Sequence, residues 1–133
     1  MTPSDMDRPL RLGDLQVAIL RVLWQEGEAT VARVHEALAG KRRAPTTIAT
    51  MLSKMERRGI VEHRVEGRQF VYRALVSEQE ATRSTVADLT RQWFEGDVSA
   101  LVSHLLTEQE IDRAELVRLR AMIVERERKE GRS

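Results

Sequence analysis

Apolar residues recur at helical spacing through the first third of the chain, alternate with polar ones around residues 60–75, and return to helical spacing afterwards. Leu12, Leu15, Ile19, Leu20, Val22 and Leu23 repeat about every third or fourth position after Gly13-Asp14. That spacing predicts a first helix with Asp14 as N-cap and Gly27 as its stop. Glu28-Ala29-Thr30 predicts a minor strand, with Thr30 capping a second helix striped by Val31, Val34 and Leu38 and ended by Gly40. Lys41-Arg42-Arg43 forms a basic turn, and Pro45 suits the first turn of a third helix from Ala44 to Arg58. Ile48, Met51, Leu52 and Met55 make one apolar stripe on that helix, within about 100° of one another. Gly59 closes it.

Two runs then alternate: Val61-Glu62-His63-Arg64-Val65 and Phe70-Val71-Tyr72-Arg73, joined through Glu66-Gly67-Arg68. Gly67 permits the tight reversal of a hairpin, which predicts a two-stranded wing. Helix, polar helix and hairpin in this order make a winged helix-turn-helix.

After Leu75 only helical patterns appear. Ser77-Glu-Gln-Glu80 and Thr107-Glu-Gln-Glu110 both read as capping boxes. The first opens a helix carrying Val86, Leu89 and Trp93, which Gly96 breaks; a short helix with Val98, Leu101, Val102, Leu105 and Leu106 follows. The second opens a helix to about Arg128 that is apolar over a wide arc: Ile111, Leu116, Val117, Leu119, Met122, Ile123 and Val124. The expected class is mainly α with a small β-hairpin wing: a loose N-terminus (1–9), a winged helix-turn-helix (10–76), a helical dimerisation domain (77–128) and a flexible tail (129–133).

A helix apolar over so wide an arc must be covered on more than one side. The last 57 residues are too few to enclose it alone. A second copy of the same segment is one cover, through Trp93, Leu101, Leu105, Leu116, Leu119 and Ile123, giving a two-fold homodimer. The other is packing back onto the N-terminal lobe.

Charge sharpens this picture. The net +1 hides an asymmetry: residues 1–76 hold 13 Lys and Arg against 9 Asp and Glu, and residues 77–133 hold 9 against 12. The basic half suits phosphates. On the third helix, Thr46, Thr47, Thr50, Ser53, Lys54 and Arg57 lie away from the apolar stripe, where hydroxyls bond phosphates or base edges and an arginine can fork onto guanine. Arg43 at the entrance to that helix and Arg64 and Arg68 on the wing complete the expected DNA-binding set, with Arg73 a further candidate. The competing reading is a winged helix that binds only proteins, which need not place cations and hydroxyls on these two elements.

Other chemistry is poorly represented. No cysteine excludes disulfides and thiolate metal sites, and His35, His63 and His104 lack metal-ligand spacing. No phosphate loop, nucleophile elbow or HExxH is present, so no enzyme, metal or cofactor is expected. Every long apolar stretch is broken by charge, and no basic-then-apolar leader precedes the first helix, so a cytoplasmic location without membrane insertion is the expectation.

Leu12-Gly-Asp-Leu15, Ile19 to Leu23-Trp24, Val31 to Val34-His35-Glu36-Ala37-Leu38, Thr46-Thr47-Ile48 to Leu52, Lys54-Met55, Gly59-Ile60-Val61 and Phe70-Val71-Tyr72 appear in an order and spacing that resembles the penicillinase-repressor family of the BlaI/MecI type. The resemblance runs from Leu12 to about Ile123. It implies a bacterial homodimeric repressor of a palindromic operator, relieved by a regulatory protease after a membrane sensor detects β-lactam. The implied cut falls near Ser103-His104-Leu105; the best-known members are cut between Asn and Phe, where this chain has His104-Leu105. A related branch senses copper through C-terminal cysteines, which this chain does not have.

Overall fold

The computed structural model describes residues 10–38 and 43–132. The expected loose segment 1–9, the helix stop at Gly40, two members of the basic turn (Lys41 and Arg42) and Ser133 lie outside them. The elements follow the order α1 (Asp14–Glu26), β1 (Ala29–Thr30), α2 (Val31–Ala37), α3 (Pro45–Arg57), β2 (Val61–Glu66), β3 (Gln69–Ala74), α4 (Glu78–Phe94), α5 (Val98–Glu108) and α6 (Arg113–Glu130). Chain contacts divide into two compact units, one through Asp88 and one from Leu89. This contact boundary lies inside α4, and Val76 and Ala81 are buried in the N-terminal core.

In the first unit, Ile19, Leu20 and Leu23 of α1 meet Val34 of α2, Ile48, Leu52 and Met55 of α3, and Ile60 and Val61 at the start of the hairpin, all essentially inaccessible to water. Each such aliphatic side chain contributes about 1.5–3 kcal/mol by burial, so the three helices and the base of the hairpin are one cooperative body. The sheet order is β1-β3-β2, antiparallel throughout, with His63 opposite Tyr72, Val65 opposite Phe70 and Ala29 opposite Tyr72 on the other side. Gly67, at φ +63°, takes the first place of the two-residue turn between Glu66 and Gln69, the residue order of a II′ hairpin. Trp24 Nε1 donates to Val76 O (2.8 Å), pinning the chain where it leaves the sheet.

Helix ends depart from expectation in three places. Asp14 is the first residue of α1; Gly13 is the N-cap, and its N–H is satisfied by Gln16 Oε1 at 2.9 Å. Thr107 caps nothing: it lies inside α5 and its hydroxyl bonds back to Ser103 O (2.8 Å). The last helix opens instead at Asp112, whose carboxylate accepts from Glu115 N (2.8 Å) and sits at the positive end of the helix dipole. Thr30 and Ser77 do cap, accepting from the N–H of Arg33 and Glu80. At the C-terminus, Lys129 and Glu130 extend α6 into the segment expected as tail.

The second unit is built differently. None of its described residues, 89–132, is buried. Trp93 is 72% exposed, and Val98, Leu105, Leu106, Leu116, Val117, Met122, Ile123 and Val124 are exposed with it. Leu101, Ile111 and Leu119 are half-buried. Within one chain these helices enclose no core.

Candidate nucleic-acid interface

Amphipathicity positions α3. Its apolar stripe is locked into the core through Ile48, Leu52 and Met55, which forces the opposite side outward. Thr46, Thr47, Thr50, Ser53, Lys54 and Arg57 are all exposed on that outward side, as expected from their spacing. Arg43, just before the helix, is exposed too, and its carbonyl accepts from His35 Nε2–H at 2.8 Å, which ties the end of α2 to the start of α3.

The electrostatics of this surface follow from pairing. Among the described residues, Arg43, Lys54, Arg57 and Arg68 have no carboxylate partner. Glu56 is the sole acidic residue of α3, and it turns to the flank, where both its oxygens accept from His63 Nδ1–H at 2.6 and 2.8 Å. The outward face therefore carries hydroxyls and positive charge without an anion of its own helix.

The wing arginines differ from one another. Arg68 stands exposed at the hairpin tip. Arg64 is held by Glu66 and by Glu28 (2.6 Å), and Arg73 by Glu62 (2.6 Å). Hydrogen bonds to Glu66 and Glu28 also push the Arg64 guanidinium above its ordinary value, so it stays charged but already partnered. Spacing alone groups Arg64 with Arg68; the structure brings Arg64 to a pair of carboxylates and leaves Arg68 open.

The Glu56–His63 pair itself was not anticipated. His63 stacks on Phe70 (ring centroids 4.1 Å apart, 19° between planes) and lies 5.4 Å from Tyr72. Its sequence signal is faint: a Glu and a His seven positions apart across the Gly59 turn, which only the fold brings together. The remaining histidine, His104, meets the Phe94 ring edge-on within the second unit. Among the described residues no group of three or more His, Cys, Asp or Glu could hold a metal ion, and no helix is long and apolar enough to cross a membrane.

The apolar residues expected at a dimer contact all lie in the second unit: Trp93 at the end of α4, Leu101 and Leu105 on α5, and Leu116, Leu119 and Ile123 on α6. Ser103, His104 and Leu105 fall in mid-α5 and are exposed.

Comparison with known proteins matches residues 12–125 to the penicillinase repressor family. The chain is 30% identical over 116 residues to the transcriptional regulator BlaI of Mycobacterium tuberculosis, covering 85% of this chain and 84% of that protein. It is 22% identical over 116 residues to the penicillinase repressor of Bacillus licheniformis, covering 86% and 91%. Among solved structures, the DNA-binding domain of the repressor BlaI matches with a TM-score of 0.49 at 27% identity, over 55% of this chain and 90% of that one. The chain belongs to the penicillinase repressor family, a family of transcriptional repressors and not of enzymes.

Proposed function

We propose that this protein is a sequence-specific repressor that binds a palindromic operator as a homodimer, α3 of each subunit entering the major groove and the wing lying along the adjacent backbone. The observation that carries this is the outward face of α3, where six hydroxyl or cationic side chains stand exposed and the helix's one carboxylate is turned aside to His63. Most contacts of such a face go to phosphates, so one to three of the six, Arg57 first among them, read bases. Arg43 and Arg68 bracket the helix and take phosphates. Arg64 contributes less, since a phosphate must displace Glu28 and Glu66 from it.

Dimerisation is supported by the second unit's exposed apolar side chains, which a second copy would cover. Two joined recognition helices gain from effective concentration, so any event that separates the subunits weakens operator binding sharply. Proteolysis near Ser103-His104-Leu105 is one such event in this reading. Because those residues sit within α5, that turn of helix must unwind before a protease can hold it extended.

Selection of the full chain on random-sequence duplexes at two salt concentrations tests the reading. An enriched palindrome, bound more weakly as salt rises, is the expected result. Salt-sensitive binding without any enriched sequence would leave only a basic surface and favour a protein-binding module instead.

A further inference from the structure

Among the described residues, the wing meets the recognition helix through one side-chain polar contact. From Arg64 to Phe70 the hairpin is exposed, and His63 is the last residue of β2 before that stretch to turn inward. Its Nδ1–H reaches both oxygens of Glu56 near the end of α3, and its ring is sandwiched against Phe70 with Tyr72 opposite in register. The contact is half-buried, 28% exposed at His63 and 31% at Glu56. On the other face of the hairpin Arg64 pairs with Glu28, both side chains about half exposed, which contributes little, while Val71 is buried where β3 pairs with β1.

We infer that Glu56 and His63 are positioning residues that set the angle of the wing on the recognition helix, and that protonated His63 holds this angle more firmly than neutral His63. The inference rests on the reading of α3 and the wing as the DNA-contacting elements. A neutral imidazole gives Glu56 a hydrogen bond that is charged at the acceptor alone; an imidazolium charges the donor as well and adds the direct attraction of opposite charges. The charged ring also cancels the one carboxylate of α3 close to the phosphates that the helix would approach. Both effects have the same sign, so operator affinity is higher with His63 protonated than with His63 neutral.

The groups facing His63 are few. Glu56 comes from α3 and Tyr72 from β3, while Glu62, Arg64 and Arg73 lie on the opposite face of the sheet by strand alternation. Burial first, and then the Glu56 charge, push the Tyr72 phenol above its ordinary value, so it stays protonated throughout. His35 is bonded to Arg43 O, away from the wing; substituting His63 alone separates the two.

The test uses the full chain, its selected operator duplex and the variants His63→Gln, Glu56→Gln and Arg68→Ala. The unaltered chain should bind about threefold to tenfold more tightly at about pH 6 than at about pH 8, and His63→Gln, which keeps an N–H donor but cannot titrate, should flatten that profile. Arg68→Ala should cost less affinity in the Glu56→Gln background than alone, because a wing set at the wrong angle has already lost the Arg68 contact. A purely structural pair would give additive losses. Backbone relaxation of Gly67 and Arg68 in the free protein supplies a readout without DNA: the tip should gain motion from about pH 6 to about pH 8 in the unaltered chain and not in His63→Gln. A pH profile unchanged by His63→Gln, additive losses, or a tip equally ordered in all samples would overturn the inference. Failure of the unaltered chain to bind any duplex at either pH would instead overturn the DNA-contacting reading, and it shows in a different sample.

Discussion

At the scale of single residues, what separates one arginine from another is its partner. Among the described residues Arg57 and Arg68 have no carboxylate partner, whereas Arg64 is shared between two carboxylates. Thr50→Ala combined with Arg57→Ala should weaken operator binding by about 1–3 kcal/mol, the range of one good base-reading pair. Circular dichroism melts should stay within about 0.5 kcal/mol of the parent, since both side chains are exposed. Arg68→Ala should weaken binding to all sequences alike and lower the salt slope by about 1. In the same titrations Arg64→Ala should do markedly less, and an equal effect would mean that its carboxylate pairs dissolve on the duplex. Periodicity places all six outward residues of α3 correctly, because a helix with an apolar stripe has one other side to show. It is silent on ion pairing, which depends on where Glu28 and Glu66 come to lie.

At the scale of elements, most of the fold was legible, and the exceptions share a cause. The hairpin was readable from two alternating runs about Gly67, and α3 from a stripe of four apolar residues behind Pro45. Helix starts were ambiguous because several segments satisfy the same local rule. Thr107 and Asp112 each stand three residues before a Glu; only Asp112 adopts the extended backbone of an N-cap, while Thr107 bonds to the turn before it. With α5 continuing to Glu108, Thr107 lies inside that helix and Asp112 is left to open the next. Asp112→Ala should therefore cost about 1 kcal/mol of stability, read by denaturant melts. Thr107→Ala, removing no cap, should stay within about 0.5 kcal/mol. The Glu56–His63 contact lay beyond sequence pattern altogether, because it depends on the angle at which the hairpin leaves α3.

At the scale of the whole molecule, the two units solve the problem of burial in opposite ways. The first encloses a core of its own in fewer than ninety residues. The second has apolar side chains on α4, α5 and α6 and buries none of them. An apolar surface of that kind is stable in water when another surface covers it. Leu119→Asp should split the proposed homodimer in sedimentation experiments and weaken operator binding in parallel, by the loss of effective concentration at the second half-site. An intact dimer carrying Leu119→Asp would show that α6 is covered in another way. Length and apolar content made the need for a cover legible; which surface provides it is the part that periodicity cannot express.

The central claim is that two α3 helices read one two-fold site. A base- and phosphate-resolved footprint of the full chain on its selected duplex tests it most directly. Two protected major-groove stretches should appear, related by a dyad and centred about one helical turn or a whole multiple of it apart, each flanked by backbone protection from the wing. A single protected stretch, or even protection without major-groove focus, would contradict it.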